Sequence, residues 1–139
     1  MDFKRFGNRY LIRIDRGEEI VQSLKDFCGR ENVRLASVAG IGAADRIVVG
    51  LFDTKQKEYF SRRLEGDHEI TSLAGNVSTM NGETYLHLHV NVCDRENRCF
   101  GGHLNSAVVS GTFEGFIDLV EGDVDREKDE DVGLNLIRF

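Results

Sequence analysis

No run in this 139-residue sequence approaches the ~20 consecutive apolar residues that a membrane-spanning helix needs. The opening Met1-Asp2-Phe3-Lys4-Arg5-Phe6-Gly7 lacks the apolar stretch of a secretory signal. The expected compartment is therefore the cytoplasm, with no membrane partner. Cysteine is scarce: Cys28, Cys93 and Cys99 make an odd count without a CxxC pair. That argues against a thiolate zinc site or a disulfide framework, and in a reducing cytosol the three are expected as free thiols. Basic charge is also short, with 18 Lys+Arg against 24 Asp+Glu and a net charge of −6. A protein that grips phosphates needs a cation for each contact, so DNA is not expected as a partner. Lys4-Arg5 and Arg62-Arg63 are basic clusters, but short ones.

What remains is an ordinary globular composition, 40% hydrophobic and 30% charged. The length suits one domain, residues 1–139, with a substantial core. Tyr10-Leu11-Ile12-Arg13-Ile14 alternates as a strand does. Asp15 is a candidate N-cap, with Glu18 three residues on as in a capping box. Ile20, Val21, Leu24, Phe27 and Cys28 then repeat at helical spacing, which predicts a helix over residues 17–29 ending at Gly29.

Beyond the helix the pattern is mostly strand. Val33 to Ala39, Arg46 to Asp53, Glu58 to Leu64 and His68 to Val77 read as strands, divided by Gly40-Ile41-Gly42 and Glu65-Gly66-Asp67 as turns. Asn81-Gly82 is a hairpin turn signal. Tyr85 to Cys93, Phe100 to Val109 and Thr112 to Val120 complete the body, although Leu104 to Val109 also fits a short helix. Glu121 to Asp131 reads as a solvated acidic tail, and Gly133 to Phe139 regains alternation as a last strand. The fold class is α+β, a largely antiparallel sheet with one main N-terminal helix.

The segment that carries chemistry is Tyr85-Leu86-His87-Leu88-His89-Val90-Asn91-Val92-Cys93. Alternation puts Leu86, Leu88, Val90 and Val92 on a core face and Tyr85, His87, His89, Asn91 and Cys93 on the other. A hairpin turn centred on Glu96 sets Cys93 opposite Cys99, Asn91 opposite Gly101 and His89 opposite His103. The facing cysteines would also suit an extra ligand or a disulfide, but two thiols packed as small apolar groups are the expectation. Opposed residues hold their Cβ atoms about 4.5–5.5 Å apart, and His87 follows one pleat further along the same face. Three imidazoles then converge, a ligand set that suits zinc and leaves a fourth position open. Imidazole equally suits iron, copper or nickel. Histidines on a strand face also serve as plain hydrogen-bond partners or interface residues, so both readings stand at this point.

Leu86-His87-Leu88-His89-Val90 followed by Gly101-Gly102-His103-Leu104 resembles the prokaryotic PPC (plant- and prokaryote-conserved) domain. So do Gly40-Ile41-Gly42, Leu64-Glu65-Gly66, Glu69 to Asn76, Arg126 and Gly133-Leu134, in the family's order. The resemblance implies a PPC-like α+β domain that forms a homotrimer. It implies that His87, His89 and His103 match the family's metal-binding histidines, usually discussed as a zinc site. Family members are often labelled DNA-binding. Plant members join the domain to an AT-hook and lack the histidine set; this sequence has no proline at all and so no such hook. Their partner-contacting segment aligns with Gly66 to Thr71, where His68 replaces the usual aromatic.

His68 alone reads as a hydrogen-bonded or surface histidine. Asn76 and Asn91 are candidates to orient metal ligands. Glu65, Glu69 and Glu114 are candidate bases, though nothing in their spacing selects one. No catalytic residue and no reaction class follow from the sequence. The first functional reading is a zinc-binding homotrimer with an open coordination position, able to hold a small-molecule ligand. The alternative is a non-catalytic DNA-associated or protein-interaction module.

Overall fold

Alternating burial marks the second strand, though not the first, in the computed structural model, which describes all 139 residues. β1 (Asp2–Phe6) and β2 (Arg9–Asp15) form a hairpin, and β2 buries Tyr10, Ile12 and Ile14 on one face. α1 (Ile20–Arg30) buries Ile20, Leu24, Phe27 and Cys28 and packs on the strands Glu83–Cys93 and Cys99–Leu119. Half of the expected capping box exists: the Asp15 N–H donates to Glu18 Oε2 at 2.7 Å. The helix nevertheless starts later than predicted, because Gly17 at φ +88° keeps the chain in a turn. Glu19 is the N-cap, accepting from the Val21 and Gln22 N–H groups, and it also accepts from the Ala107 N–H at 2.8 Å. At the other end the helix runs one residue past Gly29, to Arg30.

The rest of the body is four long strands. They are β3 (Ala36–Asp53), β4 (Glu58–Met80), β5 (Glu83–Cys93) and β6 (Cys99–Leu119). Two glycine segments expected as turns are bulges inside these strands. Gly40-Ile41-Gly42 lies within β3 at a register shift against β4. There Gly40 faces the Phe113 ring and Gly42 the Thr112 backbone, so neither site has room for a Cβ. Gly66, at φ +88°, is the bulged residue where β4 slips against Ala44 and Arg46 of β3. Leu104 to Val109 is strand, not helix, held by β3 along its length. Asn81 and Gly82 turn β4 into β5 with positive φ at both residues, as a two-residue hairpin requires.

All pairings in the main sheet are antiparallel, in the order β1-β2-β6-β3-β4-β5, and β6 also pairs with β5. That last pairing closes β6, β3, β4 and β5 into a ring. One core of 25 buried residues fills it and runs under α1. The acidic segment is not simply solvated. β7 (Arg126–Lys128) pairs with β8 (Asn135–Ile137) in a small ribbon, and the Thr79 N–H donates to Val124 O at 3.0 Å to tie the ribbon to β4. This ribbon brings Arg126 into the protein, 6% exposed.

Candidate metal centre

The β5–β6 hairpin has the register its sequence predicts: Cys93 opposite Cys99, Asn91 opposite Gly101, His89 opposite His103. Its turn is fixed by Asp94, whose Oδ1 accepts from the Glu96 and Arg98 N–H groups at 3.0 Å each. Leu88, Val90 and Val92 are buried beneath it. The opposite face carries His87, His89 and His103, and their ring nitrogens include one from each that lie within 4.8 Å of one another. Ring centroids are 5.1 Å apart for His87 and His89, 5.4 Å for His87 and His103, and 5.6 Å for His89 and His103.

This donor set fits a transition metal. A shared ion at ~2.0–2.1 Å would hold the nitrogens about 3.4 Å apart, which small rotations of the rings reach. The neighbours across the adjacent strands are small or neutral: Asn76 beside His87, Ala74 beside His89, Gly50 beside His103. Gly75 lies against the His87 carbonyl, with no space for a side chain. Burial lowers the pKa of His87, and the positive charge of Arg126 and the other two histidines lower it further. His103 is lowered by burial and by His89. Both shifts favour the neutral imidazole, the form that binds a metal.

Two side chains that the sequence did not single out for the site flank it. Tyr59 crosses the space left by Gly50 and sets its ring edge-on to His103 at 6.4 Å, its hydroxyl donating to Asn105 Oδ1 at 2.6 Å. Its signal was Gly50 itself, a glycine in the middle of a strand. On the other side Arg126 lies over the Tyr85 ring at 4.8 Å and donates to Asn76 Oδ1 at 2.9 Å. Asn76 therefore meets Arg126, while Asn91 stands against Gly101 further up the hairpin. Nothing in the acidic stretch around Arg126 marks it as buried.

The other candidates lie apart from the cluster. His68 is buried, its Nδ1 2.6 Å from Gly66 O and its ring 6.3 Å from that of Phe100, which is a structural role. Glu65 pairs with Arg46, Glu69 with Cys93 and Ala43, and Glu114 with Ile41 and Arg13, so none of the three joins the histidines. Cys93 and Cys99 correct the free-thiol expectation. Their directly opposed positions, with Cα atoms 4.3 Å apart, are joined by a disulfide, and only Cys28 is free.

Comparison with known proteins bears on the fold and the family. The family model for the Plants and Prokaryotes Conserved (PCC) domain matches residues 1–120. No curated protein sequence matches. Among solved structures, a candidate DNA-binding protein from Bacteroides thetaiotaomicron is 34% identical with a TM-score of 0.97, covering 99% of this chain and 96% of its own. A plant- and prokaryote-conserved (PPC) protein from Pyrococcus horikoshii is 33% identical with a TM-score of 0.87, covering 99% and 94%. A metal-containing protein from Archaeoglobus fulgidus is 31% identical with a TM-score of 0.88, covering 100% and 99%. With 120 residues matched and the fold shared end to end, this chain belongs to the Plants and Prokaryotes Conserved domain family.

Proposed function

We propose that this chain is a metal-binding protein of one domain, residues 1–139, whose His87, His89 and His103 hold a single zinc ion. The convergence of three imidazoles from two paired strands carries the reading. The description of the Archaeoglobus relative as metal-containing supports it. Three protein ligands leave a fourth position, the arrangement of sites that act on a ligand rather than only brace a fold. When bound, such an ion supplies Lewis-acid polarisation and activates water near neutral pH. The residues of the chain supply the rest. Tyr59 and Asn105 wall the His103 side, Tyr85 and Arg126 wall the His87 side, and at Gly101 the paired strand comes so close that a Cβ would meet the Val90 carbonyl. The reading includes assembly as a homotrimer. Leu51 opposite Phe60 and Leu11 opposite Phe116 leave apolar pairs exposed on neighbouring strands, and such contiguous patches support self-association.

Elemental analysis of the purified protein tests the metal. About one zinc per chain is expected on the three-ligand reading, and a His87→Ala/His103→Ala variant should lose it while keeping its circular dichroism. Full metal retention in that variant would place the ion elsewhere.

The description of the Bacteroides relative favours a second reading, a DNA-associated module. The arginines best placed for it are Arg62, Arg63, Arg95 and Arg98, around one depression beside the hairpin turn. Carboxylates already answer most of them: Arg98 meets Asp94 at 2.7 Å, Arg95 meets Glu96 at 2.7 Å and Arg63 meets Glu65 at 3.8 Å. The metal reading stands first for that reason.

A further inference from the structure

Arg126 is a buried cation without a buried anion. It is 6% exposed, and no carboxylate in the chain forms an ion pair with it. Its partners are neutral. Nε donates to Ser78 Oγ at 2.8 Å, Nη1 to Asn135 O at 2.8 Å and Nη2 to Asn76 Oδ1 at 2.9 Å, with the Tyr85 ring against its face. A guanidinium has five N–H groups, so two remain uncommitted. Asn76 and Ser78 lie directly across from His87 and Tyr85, which puts Arg126 on the histidine face beside the first ligand. A desolvated charge is costly unless paired. A divalent ion on three neutral imidazoles would add to that imbalance, and no Asp or Glu joins the histidine cluster to offset it.

We propose that the centre binds a small oxyanion, the carboxylate or phosphate group of its ligand, and that Arg126 is the second charge partner of that group. The proposal rests on the metal reading above and names the class of ligand that its open position takes. Arginine suits the task because its planar fork matches carboxylate and phosphate oxygens, and neutral hydrogen bonds already fix its orientation. The same charge disfavours neutral or cationic ligands.

Metal-free protein reloaded with Co²⁺ provides the test. Metal content is measured first, and the visible bands of the ion are then followed while acetate, inorganic phosphate or the neutral isostere acetamide is added. Acetate or phosphate should shift the bands saturably, and acetamide at the same concentration should not. Whichever anion binds more tightly identifies the oxyanion group. R126Q should still take up one equivalent of Co²⁺ but bind the anion about tenfold more weakly or worse, the usual scale for losing a charge-assisted contact. R126K, which keeps the charge without the fork, should fall between. Equal anion affinity in wild type and R126Q overturns the proposal, as does acetamide binding as well as acetate, or a wild type whose loaded metal ignores both anions. If R126Q does not fold, R126K and the acetate–acetamide comparison in the wild type decide. Failure of the wild type to take up Co²⁺ would overturn the metal reading itself, and it would be seen before any anion is added.

Discussion

His87 and His103 make folding and metal readiness depend on pH in the same direction. Both are half-buried, and both have pKa values held below the ordinary histidine value of 6.5. Burial is the first cause at each; the Arg126 charge, His103 and His89 add to it at His87, and His89 at His103. In the unfolded chain both rings take up protons near the ordinary value, whereas in the native protein they do so only at lower pH. Between those two points the unfolded state holds more protons, so stability falls as pH falls. It is full above the unfolded pKa and levels off below the native one. The melting temperature of metal-free protein should therefore drop as pH is lowered from about 7.5 to about 5.5, across the ordinary histidine pKa. A His87→Gln/His103→Gln variant should show a shallower drop over that interval. Parallel curves for the two proteins would mean that these rings do not set the slope.

The hairpin of β5 and β6 is the element on which the site is built, and its disulfide gives a direct check of its register. Cys93 and Cys99 close a loop with a sequence separation of 6, on the rungs next to the turn. A loop this short should stabilise the fold by about 2 kcal/mol through the entropy removed from the unfolded chain. Cys28 lies on the buried face of α1, where burial pushes its thiol up to about 12 and leaves it unreactive in the native state. Thiol titration without reductant should find no reactive thiol in the folded protein and one per chain after denaturation. Three thiols after denaturation would mean the hairpin is held by its strands alone. The same element shows why some of the fold is legible in the sequence. Register between His89 and His103 follows from local facts: a short connection, strict alternation and one turn. The bulges at Gly40–Gly42 and Gly66 do not, because a glycine signals a break in local pattern alike whether the chain reverses or merely slips. What keeps these strands straight is pairing with residues far off in sequence, Phe113 to Gly115 for the first and Ala44 to Arg46 for the second. Arg126 carries part of the family resemblance, but its place beside the histidines was hidden for the same reason. Its burial depends on Asn76, Ser78 and Asn135, and no window around it contains that pairing.

At the scale of the whole molecule, charge separates the two functional readings. Each chain carries −6, and self-association multiplies the field that a DNA duplex would meet. Phosphate contacts are strongest at low ionic strength, because the release of condensed counterions then contributes most. The arginines around the hairpin turn are largely engaged with Asp94, Glu96 and Glu65, so presenting them to phosphates means breaking those pairs. A trimer should run at three times the chain mass of 15.7 kDa in light scattering, and the same sample should not shift a duplex DNA probe at about 50 mM salt. Binding that appears there and weakens steeply with added salt would show that a basic face outweighs the average charge, and the DNA-associated reading would then lead. Retention that is insensitive to salt would not count for it, since a phosphate-gripping surface must release ions as it binds. A trimeric, zinc-loaded protein that ignores the probe leaves the histidine face as the place where the chain meets its ligand.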